Sequence, residues 1–123
     1  MRIVFIGTGA IGVPTLNALQ ASEHQLVGIV TQPDKPAGRD QEITAPPIKK
    51  WLAENQVVPI LQPKRIRDRE SIEDIREFNA DVIVVMAYGQ ILPRDVLEIP
   101  RIACLNLHAS TAARWWRHST AVG

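Results

Sequence analysis

Apolar residues fall in short runs parted by turn-forming residues, and their spacing switches between the periods that mark strands and helices. Ile3 to Ile6 is a β-rich run ending in glycines, and Pro14 then opens a stretch with Leu16 and Leu19 at helical spacing. Leu26 to Val30 predicts a second buried strand. Gln32 to Arg39 carries Pro33, Pro36 and Gly38, reads as a long irregular loop and is the first place to look for function. Pro47 opens a predicted helix with Ile48, Trp51 and Leu52 on one stripe, and Val57 to Leu61, holding Pro59, predicts a short edge strand. Ser71 is placed as the N-cap of a helix that turns Ile72, Ile75 and Phe78 inward. Val82 to Ala87 is the most continuous apolar run and predicts a central strand. Pro93 begins a helical turn with Val96 and Leu97, and Ile102 to Leu107 predicts a fifth strand.

Strands alternating with helices over short links imply an α/β fold: a doubly wound, mostly parallel sheet with helices on both faces. Ligands in such folds bind beyond the carboxyl ends of the strands. The chain's 123 residues suffice for one core, and 46% apolar against 22% charged residues argues for a folded chain over a disordered one. A net charge of +1 excludes a global field for nucleic acid or anionic membrane, so such a partner needs a local patch. Cys104, the sole cysteine, excludes an intramolecular disulfide and a cysteine-based zinc site, and with no apolar leader at the N-terminus the cytoplasm is the expected location.

Two motifs carry candidate chemistry. Gly7-Thr8-Gly9-Ala10-Ile11-Gly12 follows the first strand and fits G-x-G-x-x-G, the context for a dinucleotide pyrophosphate at a helix N-terminus. An NAD site would also want an acid at the end of the second strand, where this chain has Thr31-Gln32; the other reading is a tight turn that packs helix on sheet. Asn106 and His108, two apart at the end of the fifth strand, share a face. They suit either acyl transfer to an amine, with donors for an oxyanion and a group to move a proton, or a satisfied polar pair.

Longer stretches are more specific: Met1 to Thr8, Val13-Pro14, Thr31-Gln32-Pro33-Asp34-Lys35-Pro36-Ala37-Gly38-Arg39, Leu61-Gln62-Pro63, Ala87-Tyr88-Gly89-Gln90-Ile91-Leu92-Pro93 and Asn106-Leu107-His108-Ala109-Ser110. Together they resemble the N-terminal part of the methionyl-tRNA formyltransferase family, in the glycinamide-ribonucleotide-transformylase-like superfamily. The resemblance implies a Rossmann-like sheet of the formyltransferase type, incomplete at its C-terminus, with an incomplete folate-binding domain over 1–110 and a divergent tail over 111–123. It implies formyl transfer from 10-formyltetrahydrofolate, without a metal, to the amino group of initiator methionyl-tRNA. Asn106 and His108 would be catalytic. Met86, Ala87, Tyr88, Gly89, Gln90, Ile91 and Leu92 would line the pteridine pocket, with Ile91 and Leu92 as apolar walls. Lys35, Arg39 and Ser110 would face the tRNA, although Asp40 and Glu42 stand where the family carries bases. Related enzymes that formylate amino sugars on nucleotides share the catalytic set.

After Ser110 the family pattern of Leu-Leu-Pro and a Gly-rich turn gives way to Thr111-Ala112-Ala113-Arg114-Trp115-Trp116-Arg117. One dropped nucleotide in codons for that stretch permits Leu-Leu-Pro, so the tail is expected to be out of frame. The family's later catalytic aspartate would then be missing and the chain weak or inactive. Other readings of the tail are an amphipathic end packed through Trp115 and Trp116, or an RNA-stacking element with Arg114 and Arg117. A fifth strand left as an open edge predicts a homodimer; nothing predicts a membrane partner.

Overall fold

In a computed structural model, residues 1–37, 42–55, 58–107 and 114–117 are described. The order is β1 (Arg2–Gly7), a 3-10 turn (Ala10–Gly12), α1 (Val13–Ala21), β2 (Gln25–Val30), β3 (Lys35–Ala37), β4 (Glu42–Thr44), α2 (Pro47–Asn55), β5 (Ile60–Leu61), α3 (Arg69–Arg76), β6 (Val82–Met86), α4 (Arg94–Leu97), β7 (Ala103–Asn106) and β8 (Arg114–Arg117). One sheet runs β5-β2-β1-β6-β7-β8. Its first five strands are mutually parallel, and β8 is antiparallel to β7.

Strand alternation divides the core between two faces. Ile3, Phe5, Val82 and Val84 meet Leu16 of α1 and Ile48, Trp51 and Leu52 of α2. Val4, Ile6, Ile83 and Val85 meet Ile72 and Ile75 of α3 and Val96 of α4. With helices on both faces, β1 and β6 read as near-continuous apolar runs, the expected signature of a central parallel strand. Asp81 ties three chain segments at the amino ends of these strands: it accepts the Arg2 N–H at 2.9 Å and Arg101 Nε–H at 2.9 Å. Cys104 is buried in the second cluster, and desolvation pushes its thiol up to about 12. Among the described residues, no helix is long and apolar enough to cross a membrane.

Four expectations change. Lys35–Ala37 and Glu42–Thr44 pair as an antiparallel ribbon, so part of the loop expected to be irregular is regular. The ribbon spans three pairs and is separate from the main sheet, a scale at which turn residues in the sequence hide the pairing. The strand expected over 57–61 shortens to Ile60–Leu61 on the sheet edge, where Pro59 withholds a donor but gives its carbonyl to Ile29 N–H at 3.1 Å. The N-cap of α3 is Asp68, with extended backbone, and Ser71 sits inside the first turn donating Oγ–H to the Arg65 carbonyl at 3.0 Å. The outer edge of β7 is not open: Ala103 to Asn106 pair with Arg117 to Arg114, which removes the edge on which the homodimer expectation rested.

Candidate functional site

Strand order reverses at β1, with β2 and β5 on one side and β6 and β7 on the other. The carboxyl ends of β1 and β6 therefore flank a topological switch point, the usual crevice for a ligand. Here the chain itself closes it. Thr8 N–H and Gly9 N–H both donate to the Ala87 carbonyl, at 3.0 and 3.4 Å, and Thr8 Oγ–H donates to the Tyr88 carbonyl at 2.8 Å. A Cβ on Gly7 would lie 2.5 Å from the Met86 carbonyl oxygen and 2.6 Å from the Phe5 ring, and one on Gly12 would lie 2.8 Å from that ring. The outer two glycines thus serve close contact between the turn, β6 and Phe5. The middle glycine, which a pyrophosphate would need bare, has ordinary room for a Cβ, with nearest atoms at 3.7 and 3.9 Å. Pro14 also removes a donor from the first turn of α1. Of the two readings of the motif, the geometry favours the tight packing turn over an NAD site.

Beyond Met86 the chain leaves the sheet through two left-handed residues, Ala87 (φ 51°) and Gly89 (φ 102°). Such a conformation costs an alanine about 1–2 kcal/mol, so surrounding contacts must hold it; the paired Thr8 and Gly9 donors on the Ala87 carbonyl are those contacts. The side chains of 86–92 go to different places. Met86 packs on the α1/α2 side, where Thr15 Oγ–H reaches its sulfur at 3.5 Å, and Tyr88 and Leu92 turn to the α3/α4 cluster. Ile91 is 93% exposed. Among the described residues, the backbone N–H groups of Gly89, Gln90, Ile91 and Leu92 have no partner. An exposed strip of open amides beside apolar side chains can read the edge of a flat heteroaromatic ring.

The Tyr88 hydroxyl is buried with no hydrogen-bond partner among the described residues, and burial pushes its pKa up to about 12. Tyr88→Phe removes an unsatisfied polar group, so we expect the urea midpoint to hold or rise; a loss above about 1 kcal/mol would show that the hydroxyl has a partner.

A polar chain braces the same loop from beneath. Gln90 Oε1 accepts the Ile66 N–H at 2.8 Å, and Gln90 Nε2 donates to Gln32 Oε1 at 2.7 Å and to the Lys64 carbonyl at 3.2 Å. Gln62 Nε2 donates to the Gln32 carbonyl at 3.2 Å and to Asp34 at 2.8 Å, and Lys49 Nζ reaches both Asp34 oxygens at 3.1 Å. The Gln62 hydrogen bond, then that of Lys49, holds the Asp34 carboxyl below its ordinary pKa. A lowered folded-state pKa means stability that is present above the unfolded value of about 3.9 and is lost as pH falls through the folded value. Asp34→Asn should therefore lower the thermal midpoint at neutral pH, with the difference from wild type vanishing in acid; an offset unchanged below about pH 3 would refute this assignment.

Asn106 ends β7 directly opposite Val85 of β6, on the same strand face as Cys104. It is half-buried, and its side chain makes no hydrogen bond to the described residues, which leaves its amide open at the carboxyl end of β7. Lys35 is exposed on β3 opposite Thr44. His108, Ser110, Arg39 and Asp40 lie outside the described residues, as does the side chain of Glu42. The structure thus brings Asn106 and residues 86–92 to one end of adjacent strands. The bracing residues Thr8, Gln32, Gln62 and Gln90 come from four separated segments, and no spacing in the sequence joins them. A groove of about 380 Å³ lined by Lys64, Arg65, Arg67, Gln90 and Ile91 adjoins the loop and gives it a cationic rim.

Comparison with known proteins bears on the family and the fold. The chain is 45% identical over 115 residues to a methionyl-tRNA formyltransferase of Clostridioides difficile, covering 94% of this chain and 37% of that enzyme. It is 50% identical over 115 residues to one of Citrifermentans bemidjiense, covering 94% and 36%. The chain thus spans a little over a third of the length of these curated relatives. A phosphoribosylglycinamide formyltransferase from Bacillus halodurans, 12% identical, superposes with a TM-score of 0.61 over 88% of this chain and 56% of its own, which shows the shared fold. A sequence profile of the formyl transferase family matches residues 1–120, and the chain belongs to that family.

Proposed function

We propose that this chain is the folate-binding part of a methionyl-tRNA formyltransferase, which moves a formyl group from 10-formyltetrahydrofolate to the amino group of initiator methionyl-tRNA. The observation that carries the reading is the meeting of Asn106 with the 86–92 loop at the ends of β6 and β7, in a chain 45–50% identical to enzymes of that name. The residues fit the folate: the open amides of 89–92 suit a pteridine edge, Ile91 offers an apolar wall, and Lys64, Arg65 and Arg67 suit the carboxylates of a glutamate tail. Lys35 on the ribbon, with Arg39 and Ser110, are the residues assigned to the tRNA, and a cytoplasmic location goes with that substrate.

When bound, 10-formyltetrahydrofolate supplies a formyl group on nitrogen. Attack by the amine forms a new C–N bond, negative charge develops on the formyl oxygen, and the bond to the folate nitrogen then breaks. The Asn106 amide donates to that oxygen, and a single donor of this kind is worth about 2.7–4 kcal/mol in a transition state. His108, two residues further on, is assigned the second donor and the proton lost by the amine, which is returned to the folate nitrogen as its bond to the formyl carbon breaks.

Calorimetric titration of the chain with a stable 10-formyltetrahydrofolate analogue, with NAD in parallel, tests the reading. Saturable binding of the analogue and none of NAD is expected. Binding of NAD without the analogue would overturn it.

A further inference from the structure

The Gln90 carboxamide has one orientation open to it. Its Oε1 must face the Ile66 N–H, a donor that nothing else accepts, so its Nε2 faces Gln32. The Gln32 atom it meets must then be the acceptor Oε1, which turns Gln32 Nε2 toward Gly89. The fit at Gly89 is close: a Cβ there would stand 2.9 Å from Gln32 Nε2. Gln32 is buried at 7% exposure, and its backbone is fixed on both sides, its N–H donating to Thr8 Oγ1 at 3.3 Å and its carbonyl accepting from Gln62. Gln32, just beyond β2, thus holds the Gln90 side chain, which among the described residues hydrogen-bonds the 86–92 loop to residues 63–66, while its own amide face lies under Gly89. The loop's other anchors are Thr8 on the carbonyls of Ala87 and Tyr88 and the packing of Tyr88 and Leu92 on the α3/α4 cluster; among the described contacts Gly89 and Ile91 make no hydrogen bond of their own.

We propose that Gln32 is a positioning residue for the folate: through Gln90 and Gly89 it sets the path of 89–92, whose amides the pteridine ring meets. This rests on the function proposed above and adds Gln32, a residue just beyond β2 to which the family resemblance gives no folate role. Where a dinucleotide site would want an acid, this chain has a carboxamide whose oxygen accepts from Gln90 and whose other edge packs under Gly89.

The test compares wild type, Gln32→Leu and Gln32→Glu. Leucine keeps the bulk and loses the acceptor; glutamate keeps an acceptor for Gln90. Gln32→Leu should bind the stable 10-formyltetrahydrofolate analogue about tenfold more weakly, the scale of one buried hydrogen bond, and Gln32→Glu should recover to within about threefold. Without ligand, backbone hydrogen exchange at 89–92 should quicken in Gln32→Leu and stay unchanged in α2, with thermal midpoints alike. Wild-type binding matched by Gln32→Leu overturns the proposal and leaves the proposed function standing. Equal weakening in both variants also overturns it, since bulk and burial would then suffice. If wild type fails to bind the analogue, the function and the folate role fall together, and the exchange result separates them from the brace itself. Should Gln32→Leu not fold, Gln90→Met cuts the same link from the less buried side and carries the same expectations.

Discussion

Phe5→Ala should lower the folding free energy by about 3–5 kcal/mol, read as a fall in the urea midpoint with an unchanged denaturant slope. Phe5 is fully buried on β1, between β2 and β6, in the cluster that holds Leu16, Ile48 and Trp51. Its ring also lies where side chains at Gly7 and Gly12 would otherwise stand, at 2.6 and 2.8 Å from those ideal Cβ positions. Truncation therefore opens a cavity walled on one side by glycines, which have no side chain to move into it. Sites that cannot collapse sit at the costly end of the range. Against the 5–15 kcal/mol typical of a domain, the loss would leave the chain marginal at room temperature. A cost under about 1.5 kcal/mol would mean that the turn relaxes onto the vacated space, contrary to the rigid contacts described.

Legibility followed period and length. Ile3 to Ile6, Leu26 to Val30 and Val82 to Met86 read as buried strands because both faces are covered and no polar residue interrupts them, while Ala87, included in the predicted run, lies exposed past the end of β6. The Ile48, Trp51 and Leu52 stripe read as a helix face for the complementary reason: one side meets the sheet. The ribbon of β3 and β4 did not, because three pairs built around Pro36 carry no usable alternation. Ser71 was a sound N-cap by residue type, but Asp68, three residues earlier, has equal capping preference, and local sequence does not choose between them. The chemistry divided likewise. Asn106 is legible as a strand-end residue, and 86–92 enters the candidate site by family resemblance alone. The Gln90 to Gln32 link, 58 residues apart in the chain, exists only once β2 and β6 flank β1.

The glycine turn offers the sharpest contrast between what a motif suggests and what a structure uses it for. Gly7→Ala should destabilise by about 1–3 kcal/mol or more, because its Cβ meets the Met86 carbonyl, a backbone atom of a central strand that cannot swing aside. Gly9→Ala should be nearly neutral: its backbone is extended (φ −75°, ψ 156°), a conformation alanine adopts freely, and its nearest contacts are ordinary ones. A dinucleotide site makes the opposite demand on the middle position, since that glycine lets the backbone approach the pyrophosphate. Thermal melts of the two variants with and without NAD therefore separate the readings. A large loss in Gly7→Ala, a neutral Gly9→Ala and no shift with NAD fit a turn built to hold Thr8 against Ala87 and so to fix the start of the 86–92 loop. An NAD-dependent rise in wild type that Gly9→Ala abolishes would return the turn to phosphate binding and reopen the switch point as the site.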